Sequence, residues 1–201
     1  MAAVTLPVEF LAPITREAIN ALPIRRYEGD VRLVATREDL ERAAADFAAE
    51  RIVGFDTETR PAFRAGQHYP PALVQAATAR AVYLFQLAAL DCAPVLAPML
   101  GSGATAKAGV GVSEDLRQLK ELFAFTPAAI VDLGAVARRH GLERSGVRAL
   151  AALFLGIRIP KGTKTSNWAA RRLSPAQIAY AATDAWACRE LYLRFEEMRL
   201  L

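Results

Sequence analysis

The sequence predicts an α/β fold, a mixed β-sheet flanked by helices and built as one domain. Three observations lead there. Short apolar runs bounded by turn residues read as buried strands, and they alternate with stretches of helical spacing. The 201 residues are 53% hydrophobic, enough to bury one substantial core. A strong helix start, Ser174-Pro175-Ala176-Gln177, opens a long helical segment near the C-terminus.

Taken in order, residues 1–27 read as an N-terminal arm. Pro7, Pro13 and Pro23 punctuate it, and one short helical candidate spans 15–22. Whether the arm packs on the domain or on a partner is open. Residues 28–201 form the domain proper. Residues 31–35 read as a strand, after which Thr36 offers an N-cap and Leu40, Ala43, Ala44 and Phe47 fall at helical spacing. A short buried strand covers 52–55. Residues 73–77 and 81–85 are close enough to pair antiparallel. Residues 95–100 read as helical and 107–110 as a strand, with Ser113 placed to cap the next helix. Two amphipathic helical stretches, 135–140 and 148–155, lead to a loop over 156–173 and a final helix to about residue 198.

The bulk numbers exclude several classes. Nothing approaches the run of about 18 apolar residues that a membrane span requires. The N-terminus has the pattern of neither a signal peptide nor an Arg-rich transit peptide. Only Cys92 and Cys188 occur, without metal-ligand spacing, so a reduced, cytoplasmic protein is the simple expectation. A net charge of +4 leans weakly toward an anionic partner.

The chemistry resides in acids at the ends of apolar runs. Residues 51–58, Arg-Ile-Val-Gly-Phe-Asp-Thr-Glu, end in Asp56 and Glu58, and residues i and i+2 of a strand share a face. With 21 acids in the chain, roughly two such pairs arise by chance, so the context of the pair matters more than the pair. Asp115 follows a second apolar run, in the first turn of a helix, where the helix dipole alone would justify it. Tyr180 and Asp184 are four apart on the last helix and share a face, with Ala181, Ala182 and Ala185 around them. Each motif alone has a structural explanation. Together they supply what two-metal phosphoryl transfer needs: carboxylates from distant segments converging on one point. The loop 161–168, with Lys161, Lys164, Ser166, Asn167 and Trp168, suits phosphate contacts and base stacking, and Arg171 extends it. For Trp168, anchoring the loop to the core ranks above stacking on a base.

The ordered set 53–58, 107–115, 166–168 and 180–185, with 71–75 and 82–85 between, resembles the DEDD 3′-to-5′ exonucleases with a motif-three tyrosine. The likeness is to the Werner-type exonuclease domain and its bacterial relatives, and more distantly to RNase D. It covers roughly residues 31–198. The resemblance implies a ribonuclease H-like fold and a two-metal site binding Mg²⁺ or Mn²⁺. Asp56 would bridge both metals. Glu58 and Asp184 would complete the first site, and Asp115 would act mainly on the second. Tyr180 would orient the attacking water. The implied activity is removal of 5′-mononucleotides from nucleic-acid 3′ ends, with DNA favoured as substrate. The alternatives are an RNA 3′-end trimming enzyme and, less favoured, a non-catalytic nucleic-acid-binding module.

Overall fold

The structure is a computed structural model and describes residues 6–12, 14–62, 64, 66–162 and 166–201. Thr163, Lys164 and Thr165 fall outside the described residues. The arm carries α1 (Val8–Leu11) and α2 (Arg16–Ala21). The domain then runs β1 (Asp30–Val34), α3 (Arg37–Ala48), β2 (Ile52–Thr59), β3 (Pro71–Ala77), β4 (Ala81–Gln86), α4 (Ala93–Gly101), β5 (Ala106–Gly109), α5 (Val112–Leu122) and β6 (Ile130–Asp132). It closes with α6 (Leu133–Arg139), α7 (Val147–Leu150), a π-helical turn (Ala151–Leu155) and α8 (Pro175–Glu197).

The six strands form one mixed sheet in the order β1-β4-β3-β2-β5-β6. β3 and β4 pair antiparallel, as the short loop between residues 77 and 81 predicts, and β2 adds antiparallel to β3. β1 adds parallel to β4, while β5 and β6 add parallel on the far side of β2. β2 is therefore central and buried on both faces, which is why it reads as an unbroken apolar run.

Each face of the sheet carries its own apolar layer. Val53 and Phe55 of β2 pack with Phe47 of α3, Leu96 and Leu100 of α4, and Leu116 and Leu119 of α5. On the opposite face, Ile52 of β2 packs with Leu150, Cys188, Leu191 and Phe195. Leu73, Ala77 and Leu84 meet Ala181, Ala182 and Ala185 there. α8 lies against β2 with no side chain between them at Gly54. A Cβ at Gly54 would come within 2.1 Å of the Ala185 carbonyl oxygen and 2.7 Å of the Arg189 amide nitrogen.

The helix starts follow the sequence signals with one exception. Thr36 caps α3 reciprocally with Asp39, and Ser174 caps α8 reciprocally with Gln177. For α5 the expected Ser113 cap is incorrect. The helix begins at Val112, and Gly111 holds the cap position at φ +75° with no side-chain hydrogen bond. A left-handed backbone favours glycine there. Strand β6 went unread because three residues carry too little periodicity to register.

The arm packs on the domain. Leu6 is buried, and Phe10 stacks on Phe154 with ring centroids 5.0 Å apart. Ile24 makes a parallel bridge with Arg158, and the Tyr27 amide donates to the Thr183 hydroxyl at 3.0 Å. Both cysteines are buried free thiols. Among the described residues, no helix is long and apolar enough to cross a membrane.

Gly54→Ala forces β2 and α8 apart. Overpacking of this kind costs about 1–3 kcal/mol, so the thermal midpoint should fall by roughly 5 °C. A melt followed by circular dichroism checks this, and an unchanged midpoint would mean α8 has room to withdraw.

Candidate active site

Three elements deliver the acids to one edge of the sheet. Asp56 and Glu58 share the α8 face of β2 with Gly54, at the strand's C-terminal end. Asp184 lies one residue before Ala185, the helix residue that β2 touches. β5 runs parallel to β2, so the turn after β5 opens at the same edge. Gly111 turns the chain there, and α5 carries Asp115 in its first turn. Asp132 steadies that turn. Its Oδ1 accepts from the Gly111 amide at 3.1 Å and from the Ala135 amide at 3.0 Å.

The four carboxyls are close enough to perturb one another strongly. Asp56 is held well above its usual pKa by burial, then by the charges of Asp184, Asp115 and Glu58. Glu58 is pushed up to about 8 by burial and by Asp184 and Asp115. Asp115 is raised by burial, against which the Thr57 hydroxyl pulls. Asp184, only 4% exposed, is raised to about 6 by burial, with Tyr180 and Arg148 opposing the shift. Four acids gathered where each resists ionisation mark a site built for something other than stability.

Their hydrogen bonds leave capacity unused. Thr57, on the opposite face of β2 from Asp56, donates its hydroxyl to Asp115. The Thr57 amide donates to Asp56 Oδ1 at 2.9 Å. Asp184 Oδ1 is buried with no hydrogen-bond partner. Among the described residues, no three acids, histidines or cysteines are drawn together into a finished metal shell. The donor set is nevertheless all oxygen, anionic and partly unsatisfied, which suits a hard divalent cation that retains water ligands.

Tyr180 stands beside Asp184. Its phenol is raised above its ordinary value by burial, then by Asp184, Glu58 and Asp56. It therefore keeps its proton at neutral pH. Gly162 lies directly on the Tyr180 ring: a Cβ there would meet Cδ2 and Cε2 at 1.9 Å. Trp168 packs on the same ring, with centroids 5.9 Å apart.

The predicted nucleic-acid contacts divide. Lys161 is exposed and lines a cavity with Tyr180. Ser166 is half-buried, and Asn167 and Arg171 are exposed. The Asn167 carbonyl is engaged by the Gln177 amide at 3.2 Å. Lys164 lies outside the described residues. Trp168 as a base-stacking platform is corrected. It is 1% exposed among Leu73, Leu84, Ala181 and Ala185, so it anchors the loop to the core.

Sequence reasoning missed Thr57, Gly162, Arg148 and Asp132 as supports, and it gave no role to Gln75. Gln75 pairs with Asp56 in the β2–β3 register and is fully buried, with neither side-chain polar atom hydrogen-bonded. A glutamine in an apolar strand was the available signal for that position.

A mixed sheet with acids at the end of its central strand and on the facing helix has the architecture of ribonuclease H-like nuclease domains. A family model described as 3′-5′ exonuclease matches residues 31–199. Ribonuclease D of Gluconacetobacter diazotrophicus is 34% identical over 164 residues, covering 80% of this chain and 41% of that protein. The mouse bifunctional 3′-5′ exonuclease/ATP-dependent helicase WRN is 31% identical over 147 residues, covering 70% of this chain and 10% of that protein. Among solved structures, the Aedes aegypti Nibbler EXO domain superposes with a TM-score of 0.76 at 25% identity, covering 89% of this chain and 92% of that one. The chain belongs to the 3′-5′ exonuclease family. That family generally depends on divalent metal ions. The chain spans less than half the length of the curated relatives it matches.

The raised carboxyls set a pH dependence. A carboxyl whose folded pKa lies above its unfolded value stabilises the fold fully below the unfolded pKa and loses that contribution as pH rises through the folded one. For Glu58 the window runs from its ordinary 4.5 to about 8. Without added divalent cation, the thermal midpoint should fall across that window. Glu58→Gln should flatten the fall, and parallel curves for the two proteins would remove Glu58 from the cluster.

Proposed function

We propose that the protein hydrolyses phosphodiester bonds at nucleic-acid 3′ ends and releases 5′-mononucleotides. The observation that carries this is the convergence of Asp56, Glu58, Asp115 and Asp184 beside Tyr180, within a chain of the 3′-5′ exonuclease family. Asp56, Glu58, Asp115 and Asp184 would hold two divalent cations, Mg²⁺ or Mn²⁺. When bound, such cations activate water and stabilise charge on the transferring phosphoryl group.

The chain's own groups do the rest. Asp56 feels the charges of the other three acids and, as the family likeness implies, would serve both cations. Glu58 and Asp184 would complete the first cation's ligands, and Asp115, which accepts the Thr57 hydroxyl, would act mainly on the second. Tyr180 keeps its phenolic proton and acts as a hydrogen-bonding post that orients the attacking water; it is not itself the base. Gly162 and Trp168 fix the ring that carries that post. Lys161, with Lys164, Ser166, Asn167 and Arg171, would meet phosphates of the incoming strand.

DNA is the favoured substrate, on the likeness to Werner-type domains. RNA 3′-end trimming is the second reading, favoured by the 34% identity to Ribonuclease D. The buried free thiols of Cys92 and Cys188 suit a reducing, cytoplasmic setting.

The test is 3′ shortening of 5′-labelled DNA and RNA strands with Mg²⁺ or Mn²⁺. Asp56→Ala and EDTA should each abolish the ladder. Tyr180→Phe should lower kcat by about 10²-fold with strand affinity retained. No ladder on any strand, from folded protein that binds the cation, would leave a nucleic-acid-binding module instead. A Tyr180→Phe loss of affinity as large as the loss of rate would reassign Tyr180 to packing.

A further inference from the structure

Two cavities share the stretch Ile159, Pro160 and Lys161 as lining. The smaller, about 160 Å³, is lined by Tyr180, Gly162, Lys161 and Arg26. The larger, about 540 Å³, shares Ile159, Pro160 and Lys161 with it and leads away toward the arm. Five cations line the larger cavity: Arg16, Arg144, Arg148, Arg158 and Lys161. Among the described residues, no acid lines either one. Among the described residues, neither these five nor Arg26 has an acidic partner within 4 Å.

The cavity walls are fixed by hydrogen bonds. The Arg158 guanidinium donates to the Asn20 carbonyl at 3.1 Å, and its backbone pairs with Pro23 and Arg25. The Arg144 guanidinium donates to the Ile14 carbonyl at 3.1 Å. Docking the arm therefore accounts for part of two arginines, each of which has five N–H donors. It does not account for the others. The side chains of Arg16, Arg26, Arg148 and Lys161 make no hydrogen bond to a described residue, and Arg148 Nε is buried without a partner. Arg16 also sits at the first position of α2, where the helix dipole disfavours a cation. Like charges lining one cavity, with Arg16, Arg26 and Lys161 lacking an acidic or hydrogen-bonding partner among the described residues, suit an anion.

We propose that residues 16–26 and residues 144–161 form a cationic groove for the phosphates of a single nucleic-acid strand on the 5′ side of the scissile bond. The direction rests on the exonuclease reading: the 3′ end lies at Tyr180 and the acid cluster, so the strand that leaves them runs 5′-ward. The groove begins at Lys161 and Arg148, the latter close enough for its charge to reach Asp184. Phosphate is the recognised chemistry, so DNA and RNA are held alike.

The test uses Arg16→Glu, which removes an exposed cation that bonds to nothing, and the double variant Arg16→Gln with Arg144→Gln. Binding of fluorescein-labelled 12-nucleotide DNA and RNA strands is read by anisotropy in EDTA across a salt series. The double variant should bind both strands about tenfold more weakly. Its slope of log affinity on log salt should be shallower by about 1.4, the loss of two single-strand phosphate contacts. With metal added, its preference for the 12-mer over a dinucleotide in kcat/KM should fall about tenfold. Unchanged affinity and slope in both folded variants would overturn the groove. Weakening confined to DNA or to RNA would also overturn it, because phosphate contacts do not distinguish the two. Absence of hydrolysis by the unmodified protein would instead sink the exonuclease reading, with the EDTA binding series still deciding the groove.

Discussion

The contact on which the rest depends is the touch of backbone on backbone between β2 and α8 at Gly54. Strand periodicity puts Asp56 two residues further along the same face, and helix periodicity puts Asp184 next to the touching carbonyl of Ala185. The approach of the two elements and the approach of the two acids are therefore one event. Alanines 181, 182 and 185 extend the same economy of volume along the helix, leaving little side chain to separate it from the sheet. Tyr180, one turn before Asp184, is brought in by the same contact, and Gly162 then closes over its ring.

Burying four carboxyls together has an electrostatic cost: burial raises the pKa of each, and the neighbouring acids raise Asp56 and Glu58 further. The fold opposes that cost with fixed partners outside the cluster. The Thr57 hydroxyl orients Asp115, Arg148 offsets Asp184, and Asp132 braces the Gly111 turn without joining the acids. Asp132, at the end of β6, is thus a brace. The distinction lies in its hydrogen bonds: Asp132 Oδ1 accepts two amides, whereas Asp184 Oδ1 accepts none.

Much of this was legible from local patterns. The central strand announced itself by an apolar run ending in acids, and α8 by a serine and a glutamine that cap it reciprocally, with a proline at its first position. Those signals are short-range, so one sequence carries them. The misread cap at Ser113 shows where short-range reasoning fails. A serine beside an acid resembles an N-cap, yet the parallel strand β5 ends at Gly109 and the chain turns two residues earlier than that cap would need. Thr57, Gly162 and Gln75 were not legible because their importance lies in what stands opposite them, and only the assembled sheet and helix bring those partners together. Trp168 anchors the loop, the reading ranked first from sequence, against a layer of alanines on α8 that its own loop does not contain.

The packing of residues 6–27 also bears on where this unit begins. The family match starts at residue 31, after the arm. Yet Leu6 is 4% exposed within the same apolar layer as Phe154 and Phe195, Phe10 stacks on Phe154, and Tyr27 is hydrogen-bonded to α8 three residues beyond Tyr180. A fragment cut to the family boundary would bare an apolar strip along the π-helical turn and release the backbone bridge that holds Arg158. The packed apolar layer therefore reaches further toward the N-terminus than the matched family segment does.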